Sequence, residues 1–421
     1  MIIENFITWF MRQKNARYLQ FQADGGIELA DNTRDKKYLL YIHIPFCERL
    51  CPYCSFNRYP FEEPLARSYF AALREELKIY RHKGYDCTGV YIGGGTPTIM
   101  LDELEKTLAL VRSLYSVREV SVETNPNHLT REKLEVLTSL GTNRLSVGVQ
   151  SFDDKILRSV DRYEKYGSGQ EIREKIHLAK GNFDTLNVDM IFNFPNQTMS
   201  MLEKDLDILL DLQVDQITFY PLMVSASTQK ALSEKLGRVD YRKERAFYFK
   251  ILEKLTGQFQ PASAWCFSRT GGMIDEYIVD YDEYVGAGSG AFGYLNGCIY
   301  ANTFDPGEYI RELRQGRLPL GFKKAFPIKE QMRYDFLMKL FGRCLDIEGL
   351  KAKFRGSFSR YLWLEILFFK LAGGIRFDAG QILLTPKGQY YWVIMMREFF
   401  IGVNNFRDCC RSRILSVNSN N

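Results

Sequence analysis

Apolar residues recur along the first half of the chain in two alternating rhythms. Short apolar runs at residues 37–44, 89–92, 119–124, 144–150, 185–191 and 216–220 read as strands. Between the first two, Leu65, Phe70, Leu73, Leu77 and Tyr80 fall at helical spacing within residues 64–83. Residues 101–114, 130–140, 170–180 and 202–212 also read as helices. Thr130 is placed to cap one of them, with Glu132 and Lys133 in its first turn. Repeated strand–helix alternation implies parallel strands joined by right-handed crossovers. Six such units are too few for a closed eight-fold barrel, so the expected fold is α/β, an open, partial (β/α)6 barrel. In such folds chemistry gathers at the carboxyl ends of the strands.

The rhythm changes near residue 329. Residues 329–340, 346–354 and 361–372 read as helices; the apolar run 362–373 carries Glu365 and Lys370 and suits a core helix. Residues 374–378 and 381–385 read as a small hairpin around Ala379-Gly380, followed by a last helix to about residue 400. Three helices and a wing make a small C-terminal winged-helix-like domain. Its recognition helix lacks a basic stripe, which favours a lid over a nucleic-acid reader. The expected organisation is an N-terminal arm (1–36), the barrel (37–225), an α/β extension closing over the active site (226–325), the lid (326–403) and a disordered tail (404–421) containing Cys409-Cys410. The arm opens with an amphipathic stretch too short to span a bilayer and without the charged start and cleavage site of a signal peptide.

Composition narrows the class without naming a reaction. With 421 residues the chain can hold one large catalytic domain and a smaller one. A net charge of +5 is mild over this length and gives no argument for a nucleic-acid partner. The nine cysteines are not spaced as a disulfide framework, which fits a reducing cytoplasm.

Chemistry enters with Cys47, Cys51 and Cys54, a C-x3-C-x2-C spacing in the loop after the first strand. Three thiolates so close in sequence can wrap one metal centre with little loop-closure cost. On a four-iron cluster they would leave one iron free for a small molecule. Structural zinc normally takes four ligands, and Cys87, His82 and His43 are not at finger-like spacing. Buried free thiols are the other reading. Further candidates end the later strands: Gly93, Gly94, Gly95 and Thr96 after the second, Glu123 on the third, Gln150 on the fourth and Asp189 on the fifth. A glycine triplet lets backbone approach a ligand or simply turns. Glu123 could accept from ribose hydroxyls or be a solvated strand end. Arg162 could pair a carboxylate bidentately or lie on the surface.

The cysteine spacing resembles that of radical S-adenosylmethionine (SAM) enzymes. The blocks Ile42-His-Ile-Pro-Phe-Cys47, Tyr91-Ile-Gly-Gly-Gly-Thr-Pro-Thr98, Val122-Glu-Thr-Asn-Pro126, Val147-Gly-Val-Gln-Ser-Phe-Asp153 and Asn187-Val-Asp-Met-Ile191 resemble the oxygen-independent coproporphyrinogen III oxidase group. That group includes a heme chaperone, an anaerobic heme-opening methyltransferase and class C methyltransferases. The resemblance implies one [4Fe-4S] cluster on Cys47, Cys51 and Cys54, whose open iron chelates SAM, and reductive cleavage to a 5′-deoxyadenosyl radical. Tyr41, Tyr53, Phe56, Gly93, Gly94, Gly95, Thr96, Glu123, Gln150, Arg162 and Asp189 would contact SAM. A second SAM would sit at Gly288 and Gly290 in Val285-Gly-Ala-Gly-Ser-Gly-Ala-Phe-Gly293. It also implies a tetrapyrrole-like substrate, decarboxylated at its propionates, a flavodoxin- or ferredoxin-type electron donor, and a monomer. Two-SAM methyl transfer or heme carriage without turnover are the alternatives. Two departures stand out. Asn193-Phe-Pro-Asn196 replaces the group's Gly-Leu-Pro-Gly, and the chaperone's His-Asn-x-x-Tyr-Trp has no copy. In the acidic, tyrosine-rich stretch 274–284, Tyr277 and Tyr281 are the candidates for substrate contact or radical relay.

Overall fold

The strand–helix rhythm becomes a single twelve-stranded sheet. A computed structural model describes residues 2–19, 21, 29–34, 36–269 and 271–418; the remainder of the expected N-terminal arm and the last three residues of the tail lie outside the described residues. Six parallel strands form its centre in chain order: β1 (Lys37–Ile44), β2 (Asp86–Gly94), β3 (Glu119–Thr124), β4 (Arg144–Gln150), β5 (Thr185–Phe192) and β6 (Gln216–Pro221). This is the expected partial barrel.

Each strand is two-faced because side chains alternate across a sheet. Val120 and Val122 of β3, Leu145 and Val147 of β4, and Leu186 and Val188 of β5 are fully buried in the main apolar core. Helices supply the other half of that core. The helix Glu63–His82 contributes Tyr69, Phe70, Leu73, Leu77 and Tyr80, each fully buried. Burying side chains of this size stabilises the fold by about 1.5–3 kcal/mol apiece. Thr130 caps the helix Arg131–Ser139 by accepting from the Lys133 N–H at 3.3 Å, as its sequence position predicts. The opposite face of the strands is polar. Ser121, Arg144, Ser146, Asn187, Gln216 and Thr218 are all buried and bond to one another or to Asp275 and Asp189.

The region 226–325 extends the sheet at both edges. On the β6 edge lie the short strands β7 (Gln260–Pro261) and β8 (Cys266–Ser268), β8 antiparallel to β6. On the β1 edge lie β9 (Tyr284–Ala287), parallel to β1, and then β10 (Phe292–Leu295), β11 (Cys298–Asn302) and β12 (Leu320–Ala325), all antiparallel. The segment joining β8 to β9 therefore runs from one open edge of the barrel to the other.

The C-terminal part carries the expected wing: β14 (Ile375–Asp378) pairs with β15 (Gln381–Leu384) across Ala379-Gly380, both with positive φ. The strand β13 (Cys344–Asp346) completes the small sheet. Two expectations fail here. The helix Trp363–Leu371 is not a core helix: Trp363, Leu364, Leu367 and Leu371 are exposed, and only Phe369 is buried. Nor are the described residues of the tail disordered: the last helix runs Pro386–Asn418 without a break. The N-terminal helix Ile2–Tyr18 packs along it, with Arg12 paired to Glu398 at 2.7 Å and Asn15 donating to the Glu398 carbonyl at 2.6 Å. Among the described residues, no helix is long and apolar enough to cross a membrane.

Candidate functional site

The three cysteines sit in one loop at the carboxyl end of β1. Cys47 is buried, Cys51 and Cys54 are half-buried, and none is in a disulfide. The loop is pinned from several sides. Residues 46–47 form a two-residue ladder with Tyr59-Pro60. Arg58 donates to the Cys51 carbonyl at 2.7 Å and to the Cys54 carbonyl at 3.0 Å. Thr96 Oγ1 lies 3.9 Å from Cys47 Sγ and accepts from Asn125 Nδ2 at 2.9 Å. Gly95 lies against the same thiol: a Cβ there would stand 2.5 Å from the Phe46 carbonyl and 3.0 Å from Cys47 Sγ, so only glycine fits. The Gly95 N–H donates to the Ile44 carbonyl at 2.7 Å, and the Gly94 N–H to Glu123 Oε2 at 3.0 Å. What the glycine loop has left to offer a ligand is carbonyl oxygen, an acceptor for an amine.

Arg162 closes the other side. It is 3% exposed. Its guanidinium reaches Tyr53 Oη at 3.2 Å, Cys51 Sγ at 3.8 Å, Asn125 Oδ1 at 3.4 Å and the Gly148 carbonyl, while its Nε has no partner. Gln150, at φ 77°, ends β4 beside it. The departure at Asn193 keeps its geometry, because φ is 70° there and asparagine tolerates the left-handed region better than most side chains.

Below this mouth the polar lumen is organised by Asp275, which the segment between β8 and β9 inserts among the strands. Arg144 pairs with its Oδ1 at 2.9 Å, and Tyr91 donates to that oxygen at 2.6 Å. Its Oδ2 accepts from Tyr220 at 2.9 Å, Thr218 at 3.0 Å and Asn187 at 3.3 Å. Asp189 lies within hydrogen-bonding reach of it. Burial would raise the Asp275 carboxyl. The Arg144 charge and these bonds more than offset that and keep it ionised. Burial and the Asp275 charge push Asp189 well up, so it holds the shared proton. Burial, then the Asp275 charge, raises Glu123 to about 7. The Tyr91 hydroxyl oxygen stands 2.8 Å from Glu123 Oε1 and 2.6 Å from Asp275 Oδ1 and has one proton to give, so a protonated Glu123 satisfies the contact that Tyr91 cannot.

The predicted site residues divide. Cys47, Cys51, Cys54, Tyr53, Gly95, Thr96, Gln150 and Arg162 surround the mouth. Gly93, Gly94, Glu123 and Asp189 line the lumen just beneath. Tyr41 donates to His43 Nδ1 at 2.8 Å and stacks on Tyr277 at 5.6 Å. Burial pushes His43 down to about 4, and its Nε2 bonds the Asn57 carbonyl at 2.7 Å. Phe56 is exposed beneath the Arg407 guanidinium. Tyr277 also contacts Tyr91 and Tyr284. The structure does not bring Tyr281 to the site: its hydroxyl lies against Gly89 and Thr88, early in β2. Gly288 and Gly290 serve packing. Gly288, at φ 102°, lies against His43 and Tyr69 and donates to Glu76 at 2.8 Å; Gly290 lies against Asn57 and donates to the Thr303 carbonyl at 2.9 Å. Their amides are therefore engaged within the protein. Sequence reasoning missed Arg144, Tyr91, Asn125, Asp275 and Arg407. For the first two the available signal was the alternation of polar and apolar positions in β2 to β6.

The donor set fits an iron–sulfur cluster. Among the described residues no group of three or more His, Cys, Asp and Glu side chains is gathered to hold one metal ion. A cluster's thiolates bind separate irons and need not converge on one point. Burial, then the nearby Cys54, pushes the Cys47 thiol up to about 12. A bound metal would supply the positive charge that makes it a thiolate.

Comparison with known proteins agrees. Residues 41–209 match the family described as the radical SAM superfamily. The chain is 30% identical over 318 residues to the heme chaperone HemW of Bacillus subtilis, covering 71% of this chain and 82% of that protein. It is 31% identical over 415 residues to the oxygen-independent coproporphyrinogen III oxidase of Helicobacter pylori strain J99, covering 88% and 87%. The solved structure of coproporphyrinogen III oxidase (HemN) from Escherichia coli superposes with a TM-score of 0.76, at 22% identity, over 90% of this chain and 95% of that one.

Proposed function

The chain belongs to the radical SAM superfamily, in its oxygen-independent coproporphyrinogen III oxidase-like group, and from that premise we propose that it is an enzyme acting on the propionates of a tetrapyrrole. Membership of the superfamily implies a [4Fe-4S] cluster and SAM. When bound, they supply one-electron cleavage of a sulfonium and a radical able to abstract a hydrogen atom. Cys47, Cys51 and Cys54 would hold the cluster. The observation that carries the proposal is Arg162: a buried guanidinium touching the Cys51 thiol, with no acid beside it among the described residues and an unpartnered Nε. It is positioned to take the carboxylate of an amino-acid-bearing cofactor at the cluster's edge. The carbonyls of Gly93 to Gly95 would accept from that cofactor's amine, and Glu123 from its ribose. The aromatic wall of Tyr41, Tyr91 and Tyr277 would help exclude water from the reacting centre.

The test is anaerobic. The full chain is reconstituted with iron and sulfide, reduced, and given SAM with coproporphyrinogen III. We expect 5′-deoxyadenosine together with decarboxylated product, and loss of both in Cys51→Ala. S-adenosylhomocysteine beside the deoxyadenosine would instead indicate methyl transfer with a second SAM. The similarity to heme chaperone HemW supports a second reading, heme carriage without turnover. Tight heme binding with no deoxyadenosine would establish it and end the first.

A further inference from the structure

The C-terminal helix brings a second unpaired cation to the mouth of the barrel. Arg407 is 9% exposed. Its Nη1 donates to Asn404 Oδ1 at 3.0 Å, its Nε has no partner, and among the described residues no carboxylate pairs with it. Two other arginines of this helix differ: Arg411 pairs with Asp408, and Arg397 with Glu244 and Glu398. The guanidinium lies between two rings, 5.1 Å from the centroid of Phe56 in the cysteine loop and 5.6 Å from that of Phe292. Tyr41, Tyr277 and Cys54 are close enough to influence its charge.

The helix is held in this position. Asn404 donates to the Met223 carbonyl at 3.1 Å, and Asn405 accepts from the Ala226 N–H at 2.7 Å, both just beyond β6. Arg411 donates to the Phe56 carbonyl at 2.7 Å. Phe406 enters a cluster with Phe21, Phe292, Phe304 and Phe322. The helix thus spans the mouth from the cysteine loop to the end of β6 and aims one guanidinium inward. A buried guanidinium without an acid is costly unless a ligand supplies the anion.

We propose that Arg407 is a ligand-binding residue that takes a carboxylate of the molecule held between the C-terminal helix and the cysteine loop, and that this carboxylate is a tetrapyrrole propionate. The flanking Phe56 and Phe292 rings suit the flat conjugated body such a carboxylate would be attached to. This rests on the tetrapyrrole reading above. SAM is the other possible source of the carboxylate.

Binding tests it without turnover. The full-length chain is titrated with coproporphyrin III and with its tetramethyl ester, followed by fluorescence, and with SAM by equilibrium dialysis of the cluster-loaded protein. Arg407→Gln should weaken the free acid about tenfold or more and leave the ester unchanged, with Arg407→Lys between. If Arg407→Gln spares coproporphyrin III but weakens SAM, the carboxylate site stands with SAM as its source. Equal weakening of acid and ester, or no change in acid and SAM alike, would overturn the proposal. Absent SAM cleavage in the loaded wild-type enzyme would defeat the functional reading, while these titrations would still decide the role of Arg407.

Discussion

Asp275→Asn tests whether the polar lumen holds the partial barrel together. The substitution keeps shape and removes one charge. It leaves the buried Arg144 guanidinium facing Gln216 and Ser121, which are neutral. Removing one partner of a buried pair costs about 3–5 kcal/mol. Asp189 can soften this by releasing the proton it shares, but its bonds go to Ser146 and Asn187, so relief is partial. Unfolding entropy of about 2.1 cal/mol/K per residue over 421 residues gives about 0.9 kcal/mol/K if the chain melts as one unit. The melting temperature at neutral pH should therefore fall by about 3–6 °C in calorimetry of the metal-free chain. The sign with pH follows from the depressed carboxyl of Asp275. Its contribution is complete above the unfolded value of about 3.9 and is lost as pH falls through the folded one, so wild type and variant converge only in acid. Adding Arg144→Met removes the stranded charge and should recover most of the loss. A single variant melting within about 1 °C of wild type would refute the reasoning.

Glu123, raised to about 7, holds a proton in the folded state that the unfolded chain has already released. The stability this provides is present below about 4.5 and lost as pH rises through about 7, by about 3 kcal/mol at most. Glu123→Gln should flatten the melting profile between about pH 4.5 and 7, and parallel profiles would count against it. Glu76→Ala strands the Gly288 N–H, the Asn302 amide and the Tyr309 hydroxyl, each about 1–3 kcal/mol; the Gly288 amide should exchange hydrogen faster and the melting temperature drop. Truncation after Val403 removes Phe406 from its aromatic cluster and Arg411 from Phe56. Alkylation of Cys54 should then accelerate, whereas an unchanged rate would mean that the helix does not cover the site.

What was legible in the sequence was local. The strands of the barrel centre, the Thr130 cap and the Ala379-Gly380 hairpin each follow from spacing or from a turn residue within a few positions. What was not legible depends on distant partners. Asp275 pairs with Arg144 across 131 residues, and a solvated acidic loop has the same composition as one that plugs a barrel. The strands β7 to β10 are two to four residues long, too short to show a period. The exposed helix Trp363–Leu371 is apolar nearly all round, a pattern that usually means burial. The last helix reads as ending at about residue 400, yet it runs on to Asn418. In the fold Gly402 is a crossing point: a Cβ there would stand 2.8 Å from Leu19 and 2.9 Å from Asn15. Close approach of two helices, not termination, is why glycine occupies it.

That continuation past Gly402 changes the chemistry at the mouth. Buried side-chain donors are almost always satisfied in a folded protein, and each exception costs about 1–3 kcal/mol. Arg162 Nε, Asn193 Nδ2, Gln197 Nε2 and Arg407 Nε are exceptions, and each belongs to an element at the carboxyl end of the sheet. Arg162 is beside Cys51, Asn193 and Gln197 follow β5, and Arg407 faces Phe56 from the C-terminal helix. Arg269 Nε and Thr142 Oγ1 are further exceptions at the amino end of the strands, but these four gather on the side of the thiols, and two of them are permanently cationic. On the function proposed above, a site with this surplus suits ligands rich in acceptors and negative charge, whose binding would satisfy these donors.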